Sequence, residues 1–360
     1  MSQDSAQKID RLFSLDLLKA ISIIAVVSYH SIFVPESAYP SASYWMDILF
    51  APLRFCVPVL FTISFFLLTR SLEKSSTVSF SSLFKKRFIR LLIPTLFWGS
   101  LAIFLRFLGK GNQTESLIIL VLQGKIFPGY YYLLVMLQFL PIFIIFNRYL
   151  GKNKIFFIIL LLQLIAISLI YVSNLGVLGT DIIIFLRSAA RPFFVYWFVY
   201  MVLGSYFYKN WLKIITLSKH ISLILKIVLL LSTSLIMIAE YNYLLTITDG
   251  KIIPFEYAMF SCILSAIVIF VCFSSVEESQ IPLPIRITIK LLSQYSLGIF
   301  CTNGILSLIC LQLGTQFFGG LNFNLSEILV IKLISCNLLL MVSLGISILC
   351  DRIGIGACVR

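Results

Sequence analysis

The stretch RLFSLDLLKAISIIAVVSYHS, Arg11 to Ser31, decides how the rest of the chain is read, because it is an apolar run of membrane-crossing length that carries Lys19 and His30. A span needs about 20 apolar residues, and an ionisable side chain inside one is costly unless it lines a cavity or meets a partner. The segment is therefore expected to do chemistry or transport as well as anchor the chain. Eleven residues separate Lys19 from His30, and eleven steps of about 100° return to within about 20° of the start, so both project from one stripe of a helix, about 16 Å apart. Asp16, three residues before Lys19, is spaced to pair with it. Two plainer readings stand beside this one: Lys19 snorkels to headgroups, and His30 is an interfacial histidine satisfied by a carbonyl or water. His220, the other histidine, lies in a basic loop where solvation accounts for it.

Outward from this stretch the same composition continues: 60% hydrophobic residues, 12% charged residues and a mean hydropathy of +1.02. Such a chain uses lipid as solvent, which predicts an all-α polytopic membrane protein. About ten windows of spanning length follow: 16–34, 47–68, 91–108, 131–149, 155–173, 192–208, 221–239, 256–274, 291–312 and 327–350. The run from Leu117 to Leu122 is too short to span and is expected along the interface or as a re-entrant segment. A cleaved signal peptide is the rival reading of the first window. Its length, its internal Lys19 and His30, and the absence of a small-x-small cleavage site favour a retained helix.

Lys and Arg counted over alternate loops number 18 on the side of both termini and 6 on the other, which predicts cytoplasmic termini. The formal charge of +13 is thus topogenic and does not point to nucleic acid. No hydrophilic stretch is long enough for a soluble domain, so residues 1–360 are expected to form one membrane domain with a short cytoplasmic segment, 1–15, and a cytoplasmic tail, 351–360. No internal repeat is evident, which weakens a transporter built from inverted halves. Eight cysteines without CxxC spacing read as apolar fillers, and no metal site is expected.

Other charged residues inside or beside the windows are candidates. Arg54 lies about two turns below the outer surface, within reach of His30 if their helices adjoin, with Asp47 or Glu327 as a structural partner in the plainer reading. Arg87 and Arg90 share a helix face ahead of Pro94 and could clamp phosphates or serve only topology. Arg187 and Arg191 form a similar pair on the outer side, where positive charge wants a function or a carboxylate such as Asp181. Lys226 and Lys332 are expected to snorkel, and Asn303 to bond between helices.

These residues resemble the acyltransferase family 3 of bacterial membrane O-acyltransferases that modify envelope glycans. LDLLKAISIIAVVSYH, Leu15 to His30, resembles the family's leucine-aspartate opening, basic residue and histidine, with Lys19 where many members have arginine. RFCVPVLFTISFFLL, Arg54 to Leu68, is similar to the second span, with Phe65 in place of the glycine usual after Ser64. KKRFIRLLIP (Lys85 to Pro94), YYYLLVMLQFLP (Tyr130 to Pro141) and RPFFVYWFVYMVLGSYF (Arg191 to Phe207) match later segments in order. YSLGIFCTN, Tyr295 to Asn303, resembles a late segment in which Asn303 stands where members have histidine.

The resemblance implies an O-acyltransferase of the bacterial cytoplasmic membrane, moving an acyl group, acetyl by expectation, from acyl-CoA to a sugar hydroxyl of an envelope polysaccharide or lipid-linked glycan. No bound cofactor is implied. With the late histidine absent, His30 alone would act as general base or transient acyl acceptor. Arg54 and Ser64 would orient the donor carbonyl or the acceptor, and Lys19, Arg87 and Arg90 would hold the CoA phosphates. Arg187, Arg191 and Asn303 complete the substrate-binding candidates. The alternative is a transporter or flippase for an anionic or lipid-linked sugar that uses the same cations without acyl transfer. A sensor or scaffold with vestigial sites is a third reading.

Overall fold

The opening stretch folds as helix α1, Phe13–Tyr29, and it sits at the centre of the molecule. Leu18, Ile23 and Val27 are wholly buried. A helix that is apolar all round is a core helix, and α1 is packed by helices on several sides. The computed structural model describes residues 12–74, 80–108, 116–177, 191–248, 250 and 254–360, and these are helical, with no strand among the described residues.

After α1 come α2 (Pro40–Phe50) and α3 (Cys56–Lys74), joined by a 3₁₀ turn at Ala51–Phe55 where Pro52 interrupts the hydrogen-bond ladder. Then follow α4 (Phe80–Leu108), the short α5 (Leu117–Leu122), α6 (Tyr130–Leu150) and α7 (Asn153–Asn174). The second half holds α8 (Phe198–Lys209), α9 (Trp211–His220), α10 (Leu223–Ile247) and α11 (Phe260–Phe273). It closes with α12 (Leu283–Gln294), α13 (Ser296–Phe318) and α14 (Leu325–Cys350).

The polytopic all-α architecture is present, but the number of long spans differs from the expectation of ten. Among the described residues seven helices are long and apolar enough to cross a membrane. The windows at 16–34, 192–208 and 256–274 instead hold α1, α8 and α11, of 17, 12 and 14 residues. At about 1.5 Å per residue the last two reach about 20 Å, short of a bilayer's hydrocarbon thickness of about 30 Å. Both are buried within the protein, where short or broken helices keep their backbone groups satisfied. The end of α11 is capped in this way: Phe260 N and Ser261 N donate to the Glu240 carboxylate at 2.8 and 2.7 Å, and the Tyr171 hydroxyl donates to it at 2.5 Å. A carboxylate on a helix N-terminus neutralises exposed amides and the helix dipole, which accounts for an acid in the apolar helix α10.

The core is built on α1, α3 and α8, while α7, α10 and α14 stand at the periphery with Leu235, Leu161 and Met341 exposed as lipid-facing side chains. Gly204 of α8 lets that helix approach α3 closely, because a Cβ there would lie 2.5 Å from the Thr62 carbonyl oxygen. Phe65 of α3 is fully buried between Phe139 and Phe143, at ring distances of 5.4 and 5.5 Å. The eight cysteines are free thiols. The tail is packed rather than trailing: Trp98 Nε1 donates to the Cys358 carbonyl at 2.9 Å and Gly298 N to that of Val359 at 3.1 Å.

Candidate functional site

The two ends of α1 open onto two different cavities. The first, of about 610 Å³, lies at the N-terminal end of α1, at the end of the bundle that carries the basic start of α4. Lys19 of α1, Ser64 of α3, and Arg87 and Arg90 of α4 all line it, so four residues separated in sequence meet in one place. Arg90 is exposed, while Arg87 is partly buried and donates to Ser71 Oγ. Asp16 also lines this cavity and accepts from Ser293 Oγ at 2.5 Å. On an apolar wall, Ser64 Oγ donates to the Leu60 carbonyl and lies 2.8 Å from the Tyr132 hydroxyl. Tyr132 is held between the rings of Phe61 and Phe300, at 4.5 and 5.2 Å. Arg360 reaches the cavity from the tail, paired with Asp351 and donating to the Tyr295 hydroxyl at 3.0 Å.

The second cavity, of about 190 Å³, lies at the C-terminal end of α1 and is lined by Tyr29, Arg54 and Lys332 with Glu36 and Asp47. Arg54 is 1% exposed. Its Nη2 donates to the Tyr29 hydroxyl at 3.3 Å, and the ring of Tyr241 lies 3.8 Å from its guanidinium carbon. Among the described residues Nε and Nη1 make no hydrogen bond. Lys332 does not snorkel as expected; at 3% exposure it donates to the Ser28 carbonyl at 2.5 Å and sits 4.1 Å from the Phe50 ring. The reason is local: Ser28 is in the last turn of α1, where carbonyls lack helical partners and a cation is favoured.

His30 caps α1 beside this second cavity without lining either of the two. Its ring stands edge-on to Tyr29 at 5.2 Å, and among the described residues no hydrogen bond ties its nitrogens. Arg54 therefore reaches the residue next to His30 and not His30 itself. Glu327 is not its partner, because that side chain closes the capping box of α14 with Asn324. Arg191 pairs with Glu256 at 2.5 Å. Asp181 and Arg187 lie outside the described residues.

A family model described as an acyltransferase domain matches residues 12–350, nearly the whole chain. The protein belongs to the acyltransferase 3 family. It is a multi-pass membrane acyltransferase that transfers groups other than aminoacyl groups. No curated protein and no solved structure matches it.

Membership gives the two departures from the family pattern a structural reading. Phe65 fills its place in this acyltransferase by packing into the α6 aromatic rings, so the missing glycine is replaced by core. Asn303 is wholly buried in α13, and among the described residues neither amide atom is hydrogen-bonded, in place of the expected interhelical bond. Thr302 Oγ1 beside it likewise makes no hydrogen bond among the described residues. The sequence reading missed Tyr29, Tyr132, Tyr241 and Arg360. The tyrosines are three of the chain's 16 and carry no signal of their own, whereas Lys332 is visible as a cation inside an apolar window.

Proposed function

We propose that this acyltransferase takes its acyl group, acetyl by expectation, from acyl-CoA held in the larger cavity and delivers it to a sugar hydroxyl of an envelope polysaccharide or lipid-linked glycan. The observation that carries this reading is the convergence of Lys19, Arg87 and Arg90 on one cavity of about 610 Å³. That volume suits a cofactor-sized ligand, and clustered cations with a partly apolar wall suit a polyphosphate with a long arm. Under the positive-inside rule the basic end faces the cytoplasm of a bacterium, where acyl-CoA is found.

The phosphates sit on Lys19, Arg87 and Arg90, and the arm runs along the wall past Ser64 and Tyr132, whose hydroxyls orient the thioester carbonyl. His30 lies about 16 Å from Lys19 by helical rise, a separation an extended arm bridges in order to meet the acceptor near the far end of α1. There His30 takes the proton of the sugar hydroxyl as its oxygen attacks the thioester carbon. The carbon–sulfur bond breaks, and the thiolate leaves and recovers a proton. An imidazole with no competing hydrogen bond is suited to that role.

The test uses the protein in membranes with labelled acetyl-CoA and mass spectrometry of the envelope glycan. Label in the glycan, lost on His30→Ala while membrane insertion persists, supports the reading. Retained transfer in His30→Ala removes His30 from the chemistry, and substrate crossing vesicles with no label transfer favours the transporter alternative.

A further inference from the structure

The second cavity contains two buried cations that no carboxylate meets at ion-pair distance among the described residues. Arg54 and Lys332 are 1% and 3% exposed, and neither forms an ion pair among the described residues. The rings of Tyr241 and Tyr29 and the Tyr29 hydroxyl give Arg54 partial compensation, yet two of its three nitrogens stay unbonded. Cation–π contacts return less than a buried guanidinium loses on leaving water. A charge kept in that condition is poised for an anion that arrives from outside.

The rim narrows which anion. Glu36 and Asp47 are exposed and line the same pocket, with Glu36 accepting from Ser43 Oγ. Two carboxylates at the mouth repel a dianion and leave a monoanion able to pass, and they are strong acceptors for vicinal hydroxyls. Tyr39, also lining the pocket, has its hydroxyl pushed up to about 12 by burial and by Glu36 and Asp47, so it remains a donor at neutral pH. The volume of about 190 Å³ is below that of drug-sized sites and admits one sugar ring.

We propose that this pocket binds the carboxylate of a sugar acid, seated on Arg54 and Lys332 with the ring hydroxyls facing Glu36 and Asp47, and so makes an acidic sugar the acceptor class. The inference rests on the glycan-acyltransferase reading, because it places an acceptor ring beside His30. The planar guanidinium fork suits a carboxylate better than a neutral sugar, and the pairing removes the uncompensated charge.

The test is saturation-transfer NMR on the purified full chain in nanodiscs of zwitterionic phosphatidylcholine, with glucuronate, glucose and inorganic phosphate as probes. Glucuronate is expected to bind at least about tenfold more tightly than glucose, and Arg54→Gln and Lys332→Gln each to weaken it by about tenfold. Glu36→Gln with Asp47→Asn is expected to raise phosphate binding. Retained CoA binding in the larger cavity shows that a variant is folded; if a variant loses both ligands, the wild-type ranking of the probes decides. Phosphate displacing glucuronate makes this a phosphate or headgroup site, equal binding of glucose makes it a neutral-sugar site, and no glucuronate binding removes it; each overturns the proposal. Acyl transfer to a neutral sugar that glucuronate does not inhibit sinks this site and leaves the function standing. Glucuronate binding without acyl transfer to any sugar does the reverse.

Discussion

The two ends of α1 solve the problem of charge in an apolar protein in opposite ways. At the N-terminal end Arg90 is exposed, Arg360 is paired with Asp351, and the cations line a cavity of about 610 Å³. At the other end Arg54 and Lys332 are buried to within a few per cent, and their cavity is about 190 Å³. Exposed cations are cheap to keep and attract any polyanion, whereas buried unpaired ones are costly and are kept where a particular ligand completes them. On the proposed function the first end would hold the large charged donor and the second would choose the acceptor.

The largest expected effect comes from removing the residue next to the smaller cavity. His30→Ala should lower acyl transfer by about 10²–10⁴-fold while CoA binding persists, read as label transfer against CoA affinity. A residual rate near wild type would break the assignment of chemistry to that end. Next in size is Phe65→Ala, which deletes a fully buried ring on the wall of the larger cavity. It should cost about 3–5 kcal/mol in unfolding free energy, measured by denaturant melts in detergent. Full stability would mean that the aromatic packing with α6 is not what replaces the family's glycine.

Smaller effects separate the two ends kinetically. Arg87→Ala with Arg90→Ala should raise the KM for acyl-CoA by about tenfold to a hundredfold with kcat nearly constant, as loss of uniform binding does. A fall in kcat alone would move these arginines from holding the donor to the reaction itself. Raising salt from about 0.05 to 0.5 M should weaken acyl-CoA binding severalfold and leave glucuronate binding little changed, since screening acts on exposed charges more than on buried ones. Equal salt sensitivity would erase the contrast between the cavities. Smallest is Arg360→Gln, about two- to fivefold in donor KM, because that side chain is about half exposed and already paired with Asp351.

Much of this architecture is legible in the amino-acid sequence. Apolar windows coincide with the seven long helices, and at α8 and α11 they hold helices of 12 and 14 residues, because an apolar run is equally compatible with a short helix buried in protein. Hydropathy measures what a segment avoids, not whether lipid or protein surrounds it. The candidate cations are visible as charges out of place, but their contacts are not: of the acids expected for Arg54, Asp47 lines its cavity without forming an ion pair among the described residues and Glu327 caps α14, while aromatic rings meet the guanidinium and Glu256 pairs with Arg191.

The amino-acid sequence by itself determined the helical class, the family and the charges that stand inside apolar segments, because composition and residue order are local properties. Tertiary structure alone decided that Lys19 meets Arg87, Arg90 and Arg360 in one cavity, and that Arg54 and Lys332 share another. Lys332 lies about 300 residues from the Ser28 carbonyl it holds. Contacts at that separation depend on how helices pack around α1, which no window of sequence contains.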